Sequence, residues 1–280
     1  MRIELCPNPL KDRGYHYTRK VADYLLAHGV ELWLPADAPP ICGAKIGVCP
    51  SPDMLFVLGG DGSIMRAAKR AATQNLPILG INLGRVGYLA EINADEIGLL
   101  DKIFRDEFVI EHRMMLDVAV ARQGEPLITG RNALNDAVVS HGRVSRLLAT
   151  EVLCGGNSLG HYHSDGFIAA TPTGSTAYSL SAGGPILDPS LRGIALTPIC
   201  PHSLTARPII VPEESEIEIR YLSPVDDTAH LTVDGEEAAA LLPSDSVIIR
   251  RSARTTRLVR LLRDRNKSFY DILREKMSDI

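Results

Sequence analysis

The sequence predicts an α/β domain followed by a β-rich one, and a change of periodicity near residue 93 is what predicts it. Up to about residue 92, strand-like and helix-like segments alternate. From residue 108 to 249 the helical period nearly vanishes and short alternating strands replace it. Alternating strands and helices imply a largely parallel, doubly wound sheet with both faces covered. Short strands separated by turn residues imply an antiparallel, β-sandwich-like domain. The expected domains are 1–93 and 94–256.

In the first domain residues 2–6 read as a strand and 30–34 as another. Between them, 15–28 reads as a helix with Val21, Leu25 and His28 on one face. Residues 53–58 form a short apolar strand, bounded by prolines upstream and by Gly59-Gly60-Asp61-Gly62-Ser63 downstream. After Ser63, Ile64, Ala68, Ala71 and Ala72 recur at helical spacing, while Arg66, Lys69 and Arg70 share the opposite face. Residues 77–81 are the next strand. Ligands of such Rossmann-like sheets sit beyond the carboxyl ends of the strands, where 59–63 and 80–87 would both lie.

The second domain reads as strands over 115–121, 133–140, 147–153, 217–221, 231–233 and 247–249, with Asp234-Gly235 as a hairpin turn. The last 24 residues return to helix, with Phe269, Ile272, Leu273 and Lys276 at helical spacing. Arg250, Arg251, Arg254 and Arg257 precede them and read as a solvated basic surface.

Composition narrows the function. A chain of 280 residues with 45% hydrophobic and 23% charged residues has ample material for a core. A formal net charge of -4 gives no global basic field to draw it to nucleic acid or anionic membrane. No apolar run approaches the ~18 residues of a membrane span, and the N-terminus lacks the apolar core of a signal peptide. Cys6, Cys42, Cys49, Cys154 and Cys200 are scattered and odd in number. That pattern fits reduced thiols in a cytoplasm better than a disulfide framework or a zinc site.

Two segments carry the chemistry. Seven of the eleven side chains from residue 171 to 181 bear a hydroxyl, in a stretch that closes on Gly183-Gly184 and is flanked by apolar runs. Such a run is expected to face solvent or a hydroxyl-rich ligand, because an unpaired buried hydroxyl costs about 1–3 kcal/mol. Hydroxyls and bare amides suit ribose, adenine edges and phosphate oxygens. The second segment is strand, glycine-rich turn, helix at residues 53–72. Glycines admit a phosphate close to the backbone, and a helix N-terminus offers unpaired amides and partial positive charge. Asp61 repels phosphate, so its place in that turn fits a base or a metal contact; a plain Asp-Gly turn remains the alternative.

Both segments on one chain resemble the NAD kinase family. The likeness includes Gly59-Gly60-Asp61-Gly62-Ser63, the loop from Asn82 to Leu89, Asn135-Asp136, and Asp165-Gly166 leading into the hydroxyl-rich stretch. It continues through residues 196–204 and Arg207-Pro208 to Val233-Asp234-Gly235-Glu236. The glycine turn alone is shared with lipid kinases and 6-phosphofructokinases; the run from Asp165 to Pro208 is far more specific. The resemblance implies transfer of the ATP γ-phosphoryl group to the 2′-hydroxyl of the adenosine ribose of NAD, giving NADP. It implies a divalent metal, Mg2+ by preference, carried with ATP rather than in a protein cage. It further implies an active site between the domains, a C-terminal tail at 257–280 that completes the first domain, and a homo-oligomer, dimer or tetramer.

By the same resemblance Asp61 is the general base, and Gly60, Gly62, Ser63 and Arg66 face phosphates. Arg66 also fits a merely solvated basic face. Asn135 and Asp136 hold the adenosine half of NAD, and Asp165 is a further nucleotide contact. Thr176, Ala177, Tyr178, Ser179 and Ser181 line the NAD site, with Tyr178 stacked on a base. Arg146 and His163 stand where relatives place variable polar or basic contacts. His161 and His163 share one strand face, yet no third metal ligand is evident. The chain departs from the family pattern at Ser63, where threonine is common, and at Asp136, where glutamate is usual. It departs again at His163, often a basic residue, and at Glu236, where glutamine is usual. A carboxylate cannot donate the hydrogen bond of an amide.

Overall fold

The computed structural model describes residues 1–84, 87–141, 147–222, 228–263 and 268–278. The chain divides into two compact units, Met1–His112 with Thr256–Ile280, and residues 113–255.

The first unit is built on parallel strands. Across the sheet the order is Lys45–Ile46, Glu31–Leu34, Arg2–Pro7, Met54–Gly59, Pro77–Asn82, each parallel to its neighbour. In chain order that is third, second, first, fourth, fifth, so the sheet reverses direction of growth between Arg2–Pro7 and Met54–Gly59. Ile92–Asn93 and residues 257–258 pair with the outer side of Pro77–Asn82. Met54–Gly59 is buried along its whole length, which is why its sequence is a continuous apolar run rather than an alternating one. Helix His16–Ala27 buries Val21, Ala22 and Leu25, and Asp12 accepts the amides of Tyr17 (3.0 Å) and Thr18 (2.8 Å) at its start. His28 does not join the buried face; it follows the helix and stacks on Phe104.

The first unit extends beyond the expected boundary at 93. Leu100 and Ile103, on the short helical turns Ile97–Leu100 and Asp101–Phe104, pack into its core. Apolar anchoring on that core, invisible to periodicity in so short a segment, moves the division to residue 112. The tail also differs from expectation. The strand Asp245–Leu261 runs through the stretch read as helix, and the C-terminal helix is only Phe269–Ser278. That helix returns to the first unit, with Phe269 5.7 Å from the Tyr88 ring and the Lys276 Nζ 5.1 Å above it. Of the basic cluster, Arg250 pairs with Glu216 and Arg251 with Glu213, at 2.9 Å for the latter. Strand alternation, rather than a helical face, distributes these arginines.

The second unit contains a six-stranded antiparallel sheet. Its order is Ile209–Pro212, Gly193–Ile199, Gly166–Ala170, Asp136–His141, Ala229–Val233, Glu236–Leu241. Opposite it lie Asn157–Ser164, Leu148–Cys154, Ile217–Tyr221 and the start of Asp245–Leu261, again antiparallel. Leu116, Val139, Phe167, Leu196, Ile219, Leu231 and Val247 form one core between the two layers. Val138, Ile168, Ala195 and Leu187 pack on the other face of the six-stranded sheet. Gly166–Ala170 and Gly193–Ile199 are thereby buried on both faces. The strand expected over 133–140 is interrupted: it begins anew at Asp136, after a break at Leu134 and Asn135. No helix among the described residues is long and apolar enough to cross a membrane.

Candidate active site

In the first unit the site forms where the sheet changes direction. Helix Asp61–Gln74 starts directly after Met54–Gly59, with Gly60 as its N-cap and no side chain capping it. The carbonyl of Gly60 accepts the amide of Ser63 at 2.8 Å, and the amides of Asp61 and Gly62 are the first-turn donors left open. Asp61 is half-buried, and its carboxylate is held at both oxygens. Tyr88 donates its amide to Oδ2 at 2.9 Å and Leu89 donates to Oδ1 at 3.1 Å. A Cβ on Gly87 would collide with that carboxylate, so a glycine is needed there for close approach. The loop after Pro77–Asn82 is therefore tied to Asp61 itself. Arg85 and Val86 of that loop lie outside the described residues.

Ser63 is buried, and its hydroxyl accepts hydrogen bonds from Asn8 Nδ2 at 2.8 Å and Arg66 at 3.3 Å. Its hydroxyl thus braces the turn internally. Arg66 is exposed on the next turn of the helix, and Gly62 is exposed. Gly60, Asp61, Gly62, Ser63 and Arg66 come together at the carboxyl end of the interior strand Met54–Gly59. Sequence reasoning missed Asn8 and Lys11, which follow the first strand and reach this same turn.

In the second unit Asp234, at the hairpin between Ala229–Val233 and Glu236–Leu241, organises the other cluster. Its carboxylate accepts three successive amides, from Leu134 (2.9 Å), Asn135 (2.7 Å) and Asp136 (3.2 Å). Thr171 closes the arrangement by donating its amide to the Asn135 carbonyl (2.8 Å) and its hydroxyl to the Leu134 carbonyl (2.6 Å). Asp136 is only 5% exposed. Burial, and then the charge of Asp234, push its carboxyl up to about 7. Glu236 is exposed just past the hairpin.

The hydroxyl-rich stretch does not all face a ligand. Ser175 bonds Pro172 and Leu187, and Ser179 meets Thr197 at 3.0 Å, both fully buried. Arg113, 4% exposed, donates to the Thr173 hydroxyl at 3.2 Å. Except for Pro172, these partners lie 12 to 60 residues away in sequence, which composition cannot show. Thr176 and Ala177 are half-buried, Ser181 is exposed, and Tyr178 is 48% exposed.

Asp165 and His163 are not brought together with Asn135 and Asp136. Asp136 faces Ala170 and Ser140 faces Gly166 across the strand pair, so the two groups occupy opposite ends of the same strands. The five steps from residue 136 to residue 141 span roughly 16 Å at about 3.3 Å each. At that far end His141 Nε2 lies 3.8 Å from Asp165 Oδ1, and His163 is exposed. Arg146 lies outside the described residues. Among the described residues no three His, Cys, Asp or Glu side chains gather as a metal site, and His161 lies 3.8 Å from Glu151.

A glycine turn with a fixed carboxylate at the switch point of a parallel sheet is the framework of a phosphate-handling nucleotide enzyme. Comparison with known proteins makes this specific. Residues 50–108 match the ATP-NAD kinase N-terminal domain and residues 134–261 match the ATP-NAD kinase C-terminal domain. The NAD kinase of Natranaerobius thermophilus is 37% identical over 99% of this chain and 97% of its own length. That of Geobacter sulfurreducens is 40% identical over 91% of this chain and 90% of its own. Among solved structures, yeast NADH kinase complexed with NADH superposes with a TM-score of 0.87 at 25% identity, covering 99% of this chain and 87% of the other. An NAD kinase from Archaeoglobus fulgidus in complex with ATP gives a TM-score of 0.71 at 25% identity, over all of both chains. The chain belongs to the NAD kinase family.

Proposed function

We propose that the chain performs the family reaction, transfer of the ATP γ-phosphoryl group to the 2′-hydroxyl of the adenosine ribose of NAD, with Asp61 as general base. The observation that carries this reading is the Asp61 carboxylate, fixed at the start of a phosphate-facing helix by the amides of Tyr88 and Leu89. A ribose hydroxyl is far too weak an acid to ionise unaided near pH 7. A carboxylate that accepts its proton as the new P–O bond forms is typically worth about 10²–10⁴ in rate. Each Asp61 oxygen keeps a lone pair beyond the one its backbone donor uses, so holding and accepting are compatible. Charge on the transferring group is met by helix amides and Arg66.

On the acceptor side Asn135 offers an amide to adenine, Asp136 accepts from ribose hydroxyls, and exposed Tyr178 supplies an aromatic face. Thr176, Ala177, Ser181 and Glu236 border the dinucleotide, while Ser179 acts by holding Thr197. The family resemblance supports a divalent cation held mostly by phosphate oxygens and water. Mg2+ delivered with ATP would neutralise charge on the phosphoryl oxygens. The family resemblance supports a homo-oligomer, dimer or tetramer, and nucleotide contacts at His163 and Asp165. Five free cysteines are consistent with a cytoplasmic setting.

The test is direct. Purified protein is incubated with NAD, ATP and magnesium, and NADP is read with an NADP-specific dehydrogenase. Fructose 6-phosphate and diacylglycerol serve as competing acceptors. Nucleotide binding without turnover would instead identify a dinucleotide sensor that has lost catalysis.

A further inference from the structure

We propose that Lys11 binds the triphosphate of the donor nucleotide, a role that rests on the phosphoryl-transfer reading above and adds a residue to it. Lys11 follows the first strand, and the glycine turn follows the fourth; these strands are neighbours at the point where the sheet reverses. Ligands of open parallel sheets bind in that crevice. The Lys11 Nζ lies 2.6 Å from the position a Cβ on Gly60 would occupy. The ammonium is therefore set against the backbone of the turn, in space that a side chain at position 60 would take.

The segment that delivers it is tightly constructed. Asn8 donates its amide to the Leu58 carbonyl at 2.9 Å and its side-chain Nδ2 to Ser63 Oγ at 2.8 Å. Its side-chain oxygen accepts Leu10, and its carbonyl accepts Lys11 (3.1 Å) and Asp12 (2.9 Å). Asn8 thus couples the Lys11 loop to the phosphate turn through Ser63. The neighbouring Asp12 carboxylate is turned to Tyr17 and Thr18 and makes no ion pair with Lys11.

Electrostatics gives the direction. An ammonium beside a helix N-terminus is disfavoured, because the helix already carries partial positive charge there. Arg66 adds a further cation one turn along the helix, reaching back to Ser63. Lys11 is exposed and forms no ion pair among the described residues. Lys11 against the turn, Arg66 one turn along the helix and the first helix amides together outweigh the single Asp61 carboxylate, a balance that suits a multivalent anion. A triphosphate satisfies all three, and an ammonium with three donors can follow it as charge moves.

Lys11→Ala and Lys11→Arg separate this from a structural role. In Lys11→Ala the KM for ATP rises at least about tenfold, as expected for one lost charge-assisted hydrogen bond. The KM for NAD stays within about twofold and thermal stability does not fall, since Lys11 is exposed. Lys11→Arg keeps most of the ATP affinity. Titration by thermal shift, which needs no turnover, shows ATP binding weakened far more than AMP binding. An ATP KM within about twofold of wild type in Lys11→Ala overturns the proposal, as does a change confined to NAD. Wild-type protein that makes no NADP fails the preceding reading instead, while the ATP and AMP titrations still decide Lys11.

Discussion

The Asp234 carboxylate accepts the backbone amide of Asn135 at 2.7 Å, across 99 residues of sequence. With Leu134 and Asp136 also donating, three successive amides close around one anion. Such a nest is a common way to hold an anionic ligand; here the protein fills it with its own side chain. The consequence is that the hairpin Asp234-Gly235 fixes the direction in which Asn135 and Asp136 present themselves.

Asp234→Ala should therefore damage NAD binding without touching the phosphate turn. Each hydrogen bond to a charged acceptor contributes about 1.5–3 kcal/mol, part of which water recovers in the variant. The expected result is a melting temperature lower by several degrees and a KM for NAD raised at least about tenfold, with the KM for ATP little changed. Asp234→Asn, which keeps one acceptor, should fall between the two proteins. Equal loss of ATP and NAD affinity in Asp234→Ala would contradict this local role.

Asp136 gives a pH signature. Its carboxyl is raised to about 7, by burial first and by Asp234 second. Because the folded state holds this proton more tightly than the unfolded chain, stability from this group falls as pH rises from about 4 to about 7 and is level above. Asp136→Asn should accordingly gain thermal stability over wild type at pH 8 and not at pH 4. Ribose hydroxyls that donate to Asp136 favour its ionised form, so NAD binding near pH 7 should release a proton. Calorimetry in two buffers of different ionisation enthalpy reads that proton directly. Identical apparent enthalpies in the two buffers would show that Asp136 does not change charge on binding.

Much of this was legible in the sequence because the signals were local. The turn from Gly59 to Ser63 follows an apolar strand and opens a helix, and the structure places each part there. What stayed hidden depended on partners far along the chain. Asp234-Gly235 reads correctly as a hairpin turn, yet nothing nearby reveals that its carboxylate serves residues 134–136. Ser175 and Ser179 look like ligand hydroxyls by composition, but Leu187 and Thr197 satisfy them. Asn8 and Lys11 carry no motif. Only the rule that ligands gather at the reversal of a parallel sheet, applied to the first strand as well as the fourth, would have found them.

Tyr178 tests the acceptor side from its exposed face. At 48% exposure its ring contributes little to the core, so Tyr178→Ala should leave the melting temperature within a degree or so. A ring stacked on a base contributes mostly uniform binding, which appears in KM rather than kcat. The KM for NAD should rise several-fold with kcat nearly unchanged. An unaltered KM for NAD would remove Tyr178 from the site.

Asp61→Asn is the decisive substitution, and the structure changes how it must be read. The aspartate accepts from both Tyr88 and Leu89, whereas asparagine brings an NH2 group that cannot accept from either. The variant therefore loses an anchor as well as a proton acceptor. Gly87→Ala supplies the control: it crowds the same carboxylate and disturbs the loop while leaving the acceptor chemically intact. If Asp61 is the base, Asp61→Asn lowers kcat at least about a hundredfold, with the KM values for NAD and ATP within about threefold. Gly87→Ala should then show its damage chiefly as lower thermal stability and a smaller loss of kcat. Should Asp61→Asn keep more than about a tenth of wild-type kcat, Asp61 would be an anchor for the Tyr88 loop. The base would then have to be sought elsewhere, with Asp136 next in line.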